Sequence, residues 1–264
     1  MGPITRILIA VQFLTSIPIN IRRPFGPEDA ARAMAFFPLV GAALGAVLVG
    51  VDWAVGAVSA GASTGASTGM PAAAAVLLAS AILTRCLHID GLADTAEGLF
   101  GGSSRERALE IMRDSRVGSF GVVAIVAFYL LKFALLAQFS LPARWAGLLL
   151  TPTLGRLAMV WAAFIYPYAR KDGPGKGLGK SYTEFVGRTE VILASATALV
   201  ISALVVGVMR LSCLRVGGLI LATSLVSGLS ARFVAGRLGG MTGDTFGALN
   251  EVTEVAALFF AQFM

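Results

Sequence analysis

A chain of 264 residues with 56% apolar residues, 14% charged ones and a mean hydropathy of +0.81 departs from soluble domains, where apolar content is about 45–50% and charge about 25%. That balance excludes a soluble enzyme and points to an integral membrane protein. At about 20 residues per spanning helix, residues 1–264 have room for a single membrane-embedded domain. The net charge of +6 is spread over connecting segments with no basic run interleaved with aromatics, so nucleic acid is excluded as a partner.

Taken in chain order, residues 1–19 carry only Arg6 as a charge and no small-residue cleavage site before the Pro18–Pro27 stretch. They are predicted to stay on the protein as a short interfacial or re-entrant helix, with a true span as the alternative. Apolar runs follow at 33–58, 70–87, 117–139, 145–166, 191–209, 216–235 and 246–263, each near the length a bilayer requires. Unpaired strands in lipid would leave backbone groups unsatisfied, so all of these runs are predicted helices. The expected fold is an all-α, polytopic helical bundle of about seven spans in a lipid bilayer. Gly41-x-x-x-Gly45 is a packing signal for close helix approach, and the tandem Gly-Ala-Ser-Thr of 61–69 is a flexible connector. Cys86 and Cys213 form no metal or redox spacing.

If every run crosses, segments 1–32, 88–116, 167–190 and 236–245 share one face. That face collects Arg22, Arg23, Arg105, Arg113, Arg116, Arg170, Lys171 and Arg237 among others, whereas the opposite loops carry Arg144, Arg210 and Arg215. The positive-inside rule makes the basic face cytoplasmic. Acids follow the same split apart from Asp52. Acids do not obey that rule, so their segregation calls for a polar site.

Three segments on this face carry chemistry. His88-Ile-Asp-Gly-Leu-Ala-Asp-Thr-Ala-Glu97 places Asp90, Asp94 and Glu97 within an arc of roughly 60° on one helical face. Oxygen ligands of this kind suit Mg²⁺, which commonly bridges one or two carboxylates to substrate phosphates. His88, the sole histidine, is either a general base or a hydrogen-bonding group at a helix end. The second segment holds Arg113 and Arg116, one turn apart with Asp114 between them; arginine pairs recognise phosphate bidentately. The third runs from Arg237 through a glycine-rich turn to Asp244, with Glu251 seven residues on along the same helical face. The turn can form an anion nest, and Asn250, Glu251 and Glu254 should point inward from an apolar helix. Lys132 and Arg156 lie inside spans and require partners or a cavity. The glycine- and lysine-rich 171–180 stretch lacks phosphate-loop spacing and is expected to be a mobile loop over the site. Carboxylate-held metal, phosphate-binding arginines and a membrane setting together predict phosphoryl or nucleotidyl transfer to an alcohol.

These residues resemble the cobalamin synthase family, adenosylcobinamide-GDP ribazoletransferase. The matching stretches are 37–45, 88–100, 109–118 and 239–248, in the family's order and spanning nearly the whole chain. The resemblance implies a Mg²⁺-dependent, multi-pass enzyme of the bacterial inner membrane with its active site facing the cytoplasm. It joins α-ribazole, or its 5′-phosphate, to adenosylcobinamide-GDP, releasing GMP in a late step of cobalamin biosynthesis. By position, Asp90 and Asp94 would be metal ligands and catalytic, with Glu97, Asp114 and Asp244 as further ligands. His88 would be catalytic, Arg113 and Arg116 would hold the pyrophosphate, and Arg237 and Glu251 would bind substrate. A homo-oligomer is compatible with this picture. Two rivals are a CDP-alcohol phosphotransferase, whose motif Asp90-Gly91 echoes without its remainder, and an ion-coupled transporter, which would need acids near the midplane and internal repeats.

Overall fold

In the computed structural model, which describes residues 1–21, 24–62, 69–114, 116–139, 143–170 and 178–264, each apolar run becomes a helix. Among the described residues the only extended pairing is an isolated bridge between Tyr168 and Met241. Arg22 and Arg23, the Gly-Ala-Ser-Thr connector at 63–68 and most of the expected covering loop, 171–177, lie outside the described residues.

The N-terminal helix, α1 (Pro3–Leu14), is about 18 Å long at 1.5 Å per residue. That is too short to cross a hydrocarbon core of about 30 Å alone. The short α2 (Pro27–Ala33) leads through a single 3₁₀ turn into α3 (Phe37–Ala62). After it come α4 (Gly69–Thr84), α5 (Leu87–Gly101), α6 (Arg105–Ile111), α7 (Ser119–Gln138) and α8 (Ala143–Ile165). The chain closes with α9 (Leu178–Phe185), α10 (Arg188–Met209), α11 (Cys213–Leu238) and α12 (Gly243–Ala261). Among the described residues, five helices are long and apolar enough to cross a membrane: those built on α3, α7, α8, α10 and α11. A sixth results if the bent pair α4–α5 counts as one span. The last predicted run is α12, which carries Asp244, Glu251 and Glu254 and is buried along most of its length. It is a central helix, packed against α5, α8 and α11, rather than a lipid-facing one.

Two local features position the site. A Cβ at Gly41 would collide with the Pro152 carbonyl, and one at Gly45 would sit 2.6 Å from the Leu148 carbonyl oxygen, so α3 lies with its backbone directly on α8. The packing motif in the sequence therefore has its expected use. Between α4 and α5 the chain turns by 88° through Arg85 and Cys86, both left-handed at φ 54° and 57°. Such conformations cost non-glycine residues roughly 1–2 kcal/mol each. The turn takes α5 out of the line of α4 and brings its acids level with the first turns of α7 and α12.

Charge inside the bundle is paired. Asp52 accepts from Arg144 Nε at 2.7 Å and from the Trp145 indole at 3.1 Å, while Arg144 also donates to the Leu136 carbonyl. That pairing explains the one acid found on the arginine-poor side. Deeper in, Lys132 Nζ donates to Glu251 at 2.8 Å and to Glu254 at 2.6 Å. Arg156 pairs with the other oxygen of Glu254, which also accepts from Asn250 at 2.9 Å.

Candidate active site

Helices α5 and α12 cross through glycine. A Cβ at Gly91 would lie 2.5 Å from the Asp244 carbonyl oxygen, and one at Gly247 would lie 3.1 Å from that of His88. This close approach sets Asp90 and Asp94 beside Asp244, in the first turn of α12, whose N-terminus is capped by the Thr242 hydroxyl accepting from Thr245 N–H. Beside them opens a cavity of 290 Å³ lined by Asp90, Asp244, His88, Arg170 and an apolar wall of Phe13, Met159, Tyr168, Tyr182 and Phe246, with Asp94 next to these acids but not in the lining. Phe13, Phe37 and Tyr182 brace one another by ring contacts at centroid separations of 5.4–6.0 Å.

The electrostatics are one-sided. Burial, then Asp244 and Asp90, and to a lesser degree Glu97, push the Asp94 carboxyl up to about 6, because each neighbouring carboxylate opposes ionisation. Burial also raises Asp244, against the opposing pull of Arg170. Arg170 is the guanidinium that acts on both acids. Its Nη2 donates to Asp244 Oδ2 at 2.8 Å and reaches the Met112 carbonyl at 3.5 Å, while its buried Nε has no partner among the described residues.

Arg170 is placed by backbone pairing. Ala169 N–H donates to the Met241 carbonyl and Met241 N–H to the Pro167 carbonyl, both at 2.8 Å. Arg105 then donates Nε to the Leu238 carbonyl at 2.6 Å and Nη2 to the Ala169 carbonyl at 2.9 Å. It satisfies the C-terminal end of α11 and ties α6 to the segment that carries Arg170.

The sequence-expected residues divide into groups. Asp90, Asp94 and Asp244 come together. Glu97 lies at their edge, but its Oε1 accepts Gly121 N–H at 2.7 Å, so one oxygen serves the N-terminus of α7, where a carboxylate complements the helix dipole. Asp114 is exposed and held by its sequence neighbour: Arg116 donates to it through Nε at 3.0 Å and Nη2 at 2.6 Å. That pairing lowers Asp114 to about 2. Arg113 is exposed beside it, and Arg237 is exposed at a separate 200 Å³ cavity with Ser103, Ser104 and Arg105. None of these four lines the acid cavity. Glu251 is turned into the buried ion network. Arg170, Tyr168, Phe13 and Tyr182 were not singled out as site residues, although Arg170 belongs to the basic face that the topology predicts.

His88 is buried, with Nδ1 facing Arg156 Nη2 at 3.3 Å. A guanidinium only donates, so Nδ1 accepts and the ring proton of the neutral histidine sits on Nε2. This leaves no free lone pair for a general base and matches the alternative of a hydrogen-bonding group at a helix end.

Among the described residues, no group of three or more His, Cys, Asp or Glu side chains is gathered closely enough to hold a metal ion by itself. The donor set nevertheless suits Mg²⁺, which retains waters and takes one or two carboxylates together with substrate phosphates. Among the described residues, these carboxylates face one guanidinium, that of Arg170, which leaves negative charge that a divalent cation would neutralise.

Comparison with known proteins covers nearly the whole chain. The family model described as cobalamin-5-phosphate synthase matches residues 6–262. The adenosylcobinamide-GDP ribazoletransferase of Syntrophobacter fumaroxidans is 41% identical over 97% of both chains. Those of Pseudomonas syringae pv. syringae and Desulforamulus reducens are 39% and 38% identical, each over 95% of this chain and over 96% and 93% of their own lengths. No solved structure matches.

Proposed function

The chain belongs to the cobalamin-5-phosphate synthase family, and from that premise we propose that it is an adenosylcobinamide-GDP ribazoletransferase. A ribose hydroxyl of α-ribazole, one that remains free when the 5′ position carries phosphate, would bond to the phosphorus bearing cobinamide. The bridging P–O bond would break and GMP would leave, giving adenosylcobalamin or its 5′-phosphate. The observation that carries the reading is the full-length match to relatives of that name; the acid cavity supplies a place for the reaction.

In that cavity Asp90 and Asp244 are the carboxylates that would hold a Mg²⁺ ion, whose bound charge would offset that of the pyrophosphate. Two protein carboxylates satisfy its usual demand. Asp94, adjacent to these two though outside the cavity lining, is the remaining carboxylate to take up the hydroxyl proton, and its raised affinity for a proton suits that role. The aromatic wall offers the flat ribazole base a stacking surface. His88, fixed by Arg156, contributes packing and a defined donor rather than a base. By the positive-inside rule this end of the bundle faces the cytoplasm, within the bacterial inner membrane. The charge balance argues against an ion-coupled transporter, because the buried glutamates are already neutralised by Lys132 and Arg156.

The test supplies purified protein in bilayer discs with adenosylcobinamide-GDP and α-ribazole, in Mg²⁺ or in EDTA. Stoichiometric GMP and adenosylcobalamin with Mg²⁺ and neither in EDTA is the expected result. Product in EDTA would overturn the metal assignment, and no product under either condition would overturn the transfer itself.

A further inference from the structure

Arg170 has an unusual position: it is the guanidinium beside an excess of carboxylates, yet its donors are not all used. Its Nη2 is spent on Asp244, its side chain is only 18% exposed, and its buried Nε has no partner among the described residues. A buried unmet donor on a charged group is costly, so the arrangement suits an additional acceptor. The cavity it lines is also lined by Asp90 and Asp244. The backbone pairing of Ala169 with Met241 and the clamp from Arg105 hold its main chain in place, so the acceptor must come to it.

We infer that Arg170 is a binding residue for the pyrophosphate of the donor nucleotide, and that it exchanges Asp244 for phosphate oxygens as the donor enters. A guanidinium takes two phosphate oxygens through parallel N–H donors, and Nε with Nη2 forms such a fork. Release of Asp244 would free both of its oxygens for the divalent cation that accompanies the nucleotide. In the free protein Arg170 therefore stands in for that cation, limiting repulsion among the aspartates. Arg113 and Arg116 do not line this cavity, and Arg116 is occupied by Asp114. The inference rests on the reading that the site takes a nucleotide pyrophosphate.

Two opposite effects of one substitution distinguish this role from a structural one. In full-length protein in bilayer discs, Arg170→Ala should weaken binding of GDP in the presence of Mg²⁺ by about tenfold or more. The same variant without nucleotide should bind Mn²⁺, followed by its free-ion paramagnetic resonance signal, several-fold more tightly, because the competing cation has gone. Arg170→Lys keeps the charge without the fork, so it should recover part of the GDP affinity and the wild-type Mn²⁺ affinity. Unchanged GDP binding in Arg170→Ala would overturn the inference, as would parallel loss of GDP and Mn²⁺ binding. Absence of GDP binding in the wild type would overturn it too. These binding readouts stand apart from product formation, so failure of the transfer reaction and failure of the Arg170 assignment are separable.

Discussion

The two acid clusters of this protein use the same functional group for opposite ends. In the middle of the bundle, Glu251 and Glu254 face Lys132 and Arg156, two carboxylates against two cations in direct contact. At the end of the bundle, Asp94 and Asp244, with Asp90 beside them, face Arg170 as the one guanidinium acting on them among the described residues. Buried charge is tolerated when it is paired, so the first cluster is balanced in charge, although Arg156 Nε and Asn250 Oδ1 lack a partner among the described residues. The second retains negative charge and opens into a cavity. A count of acids along the chain would rank the two alike, and only the count of counter-charges separates a structural network from a cation site.

Breaking each cluster should therefore damage different properties. Asp90→Asn or Asp94→Asn should lower Mg²⁺-dependent product formation by about 10²-fold or more, a loss comparable to removing a preorganised electrostatic group, while the purified protein keeps its thermal transition. Near-wild-type turnover in both variants would end the assignment. Glu254→Ala should do the reverse at first instance. It leaves Arg156 without its carboxylate and Lys132 with Glu251 alone in the bundle interior, and a broken buried pair costs about 3–5 kcal/mol. The unfolding midpoint in detergent should fall sharply, and a stability equal to wild type would show that the network is not structural.

Acidity offers a gentler probe of the contrast. Burial and the neighbouring carboxylates push Asp94 up to about 6, so below that pH it loses the charge that favours a cation held by Asp90 and Asp244 beside it. Mn²⁺ affinity should rise as pH increases through about 6 and then level off, and Asp94→Asn should flatten that rise. The folded carboxyl binds its proton more tightly than an unfolded one does. Its contribution to stability is thus most favourable at low pH and is lost as pH rises through about 6. The smallest expected effect concerns the turn that separates the clusters. Cys86→Gly removes the side chain from a left-handed residue and should change stability by no more than about 1 kcal/mol, in the stabilising direction, with product formation intact. A clear loss of stability would mean that the Cys86 side chain itself holds α4 to α5.

Much of this was legible in the sequence. The helices followed from apolar runs, α3–α8 contact from Gly41 and Gly45, and the acids of α5 from their spacing on one face. Asp244 was legible because it follows a glycine turn and opens a helix. Less visible was anything set by long-range pairing. Arg170 reaches Asp244 across 74 residues through a two-residue backbone bridge that no periodicity announces. Glu251 matched the helical face of Asp244, but its partner Lys132 lies 119 residues earlier, and that ion pair decides its role. Arg116 and Asp114 were close enough in sequence to satisfy each other locally, which removed both from the cavity. The break at Arg85 and Cys86 contains neither glycine nor proline, so local chemistry gave no sign of it.

The most direct test of the central contrast is a Mn²⁺ titration of the wild type, Asp90→Asn and Glu251→Gln, each folded in bilayer discs and monitored by paramagnetic resonance. The account predicts a saturable site in the wild type, its loss in Asp90→Asn and its retention in Glu251→Gln. A site that survives Asp90→Asn and disappears in Glu251→Gln would place the cation in the buried network and contradict the assignment.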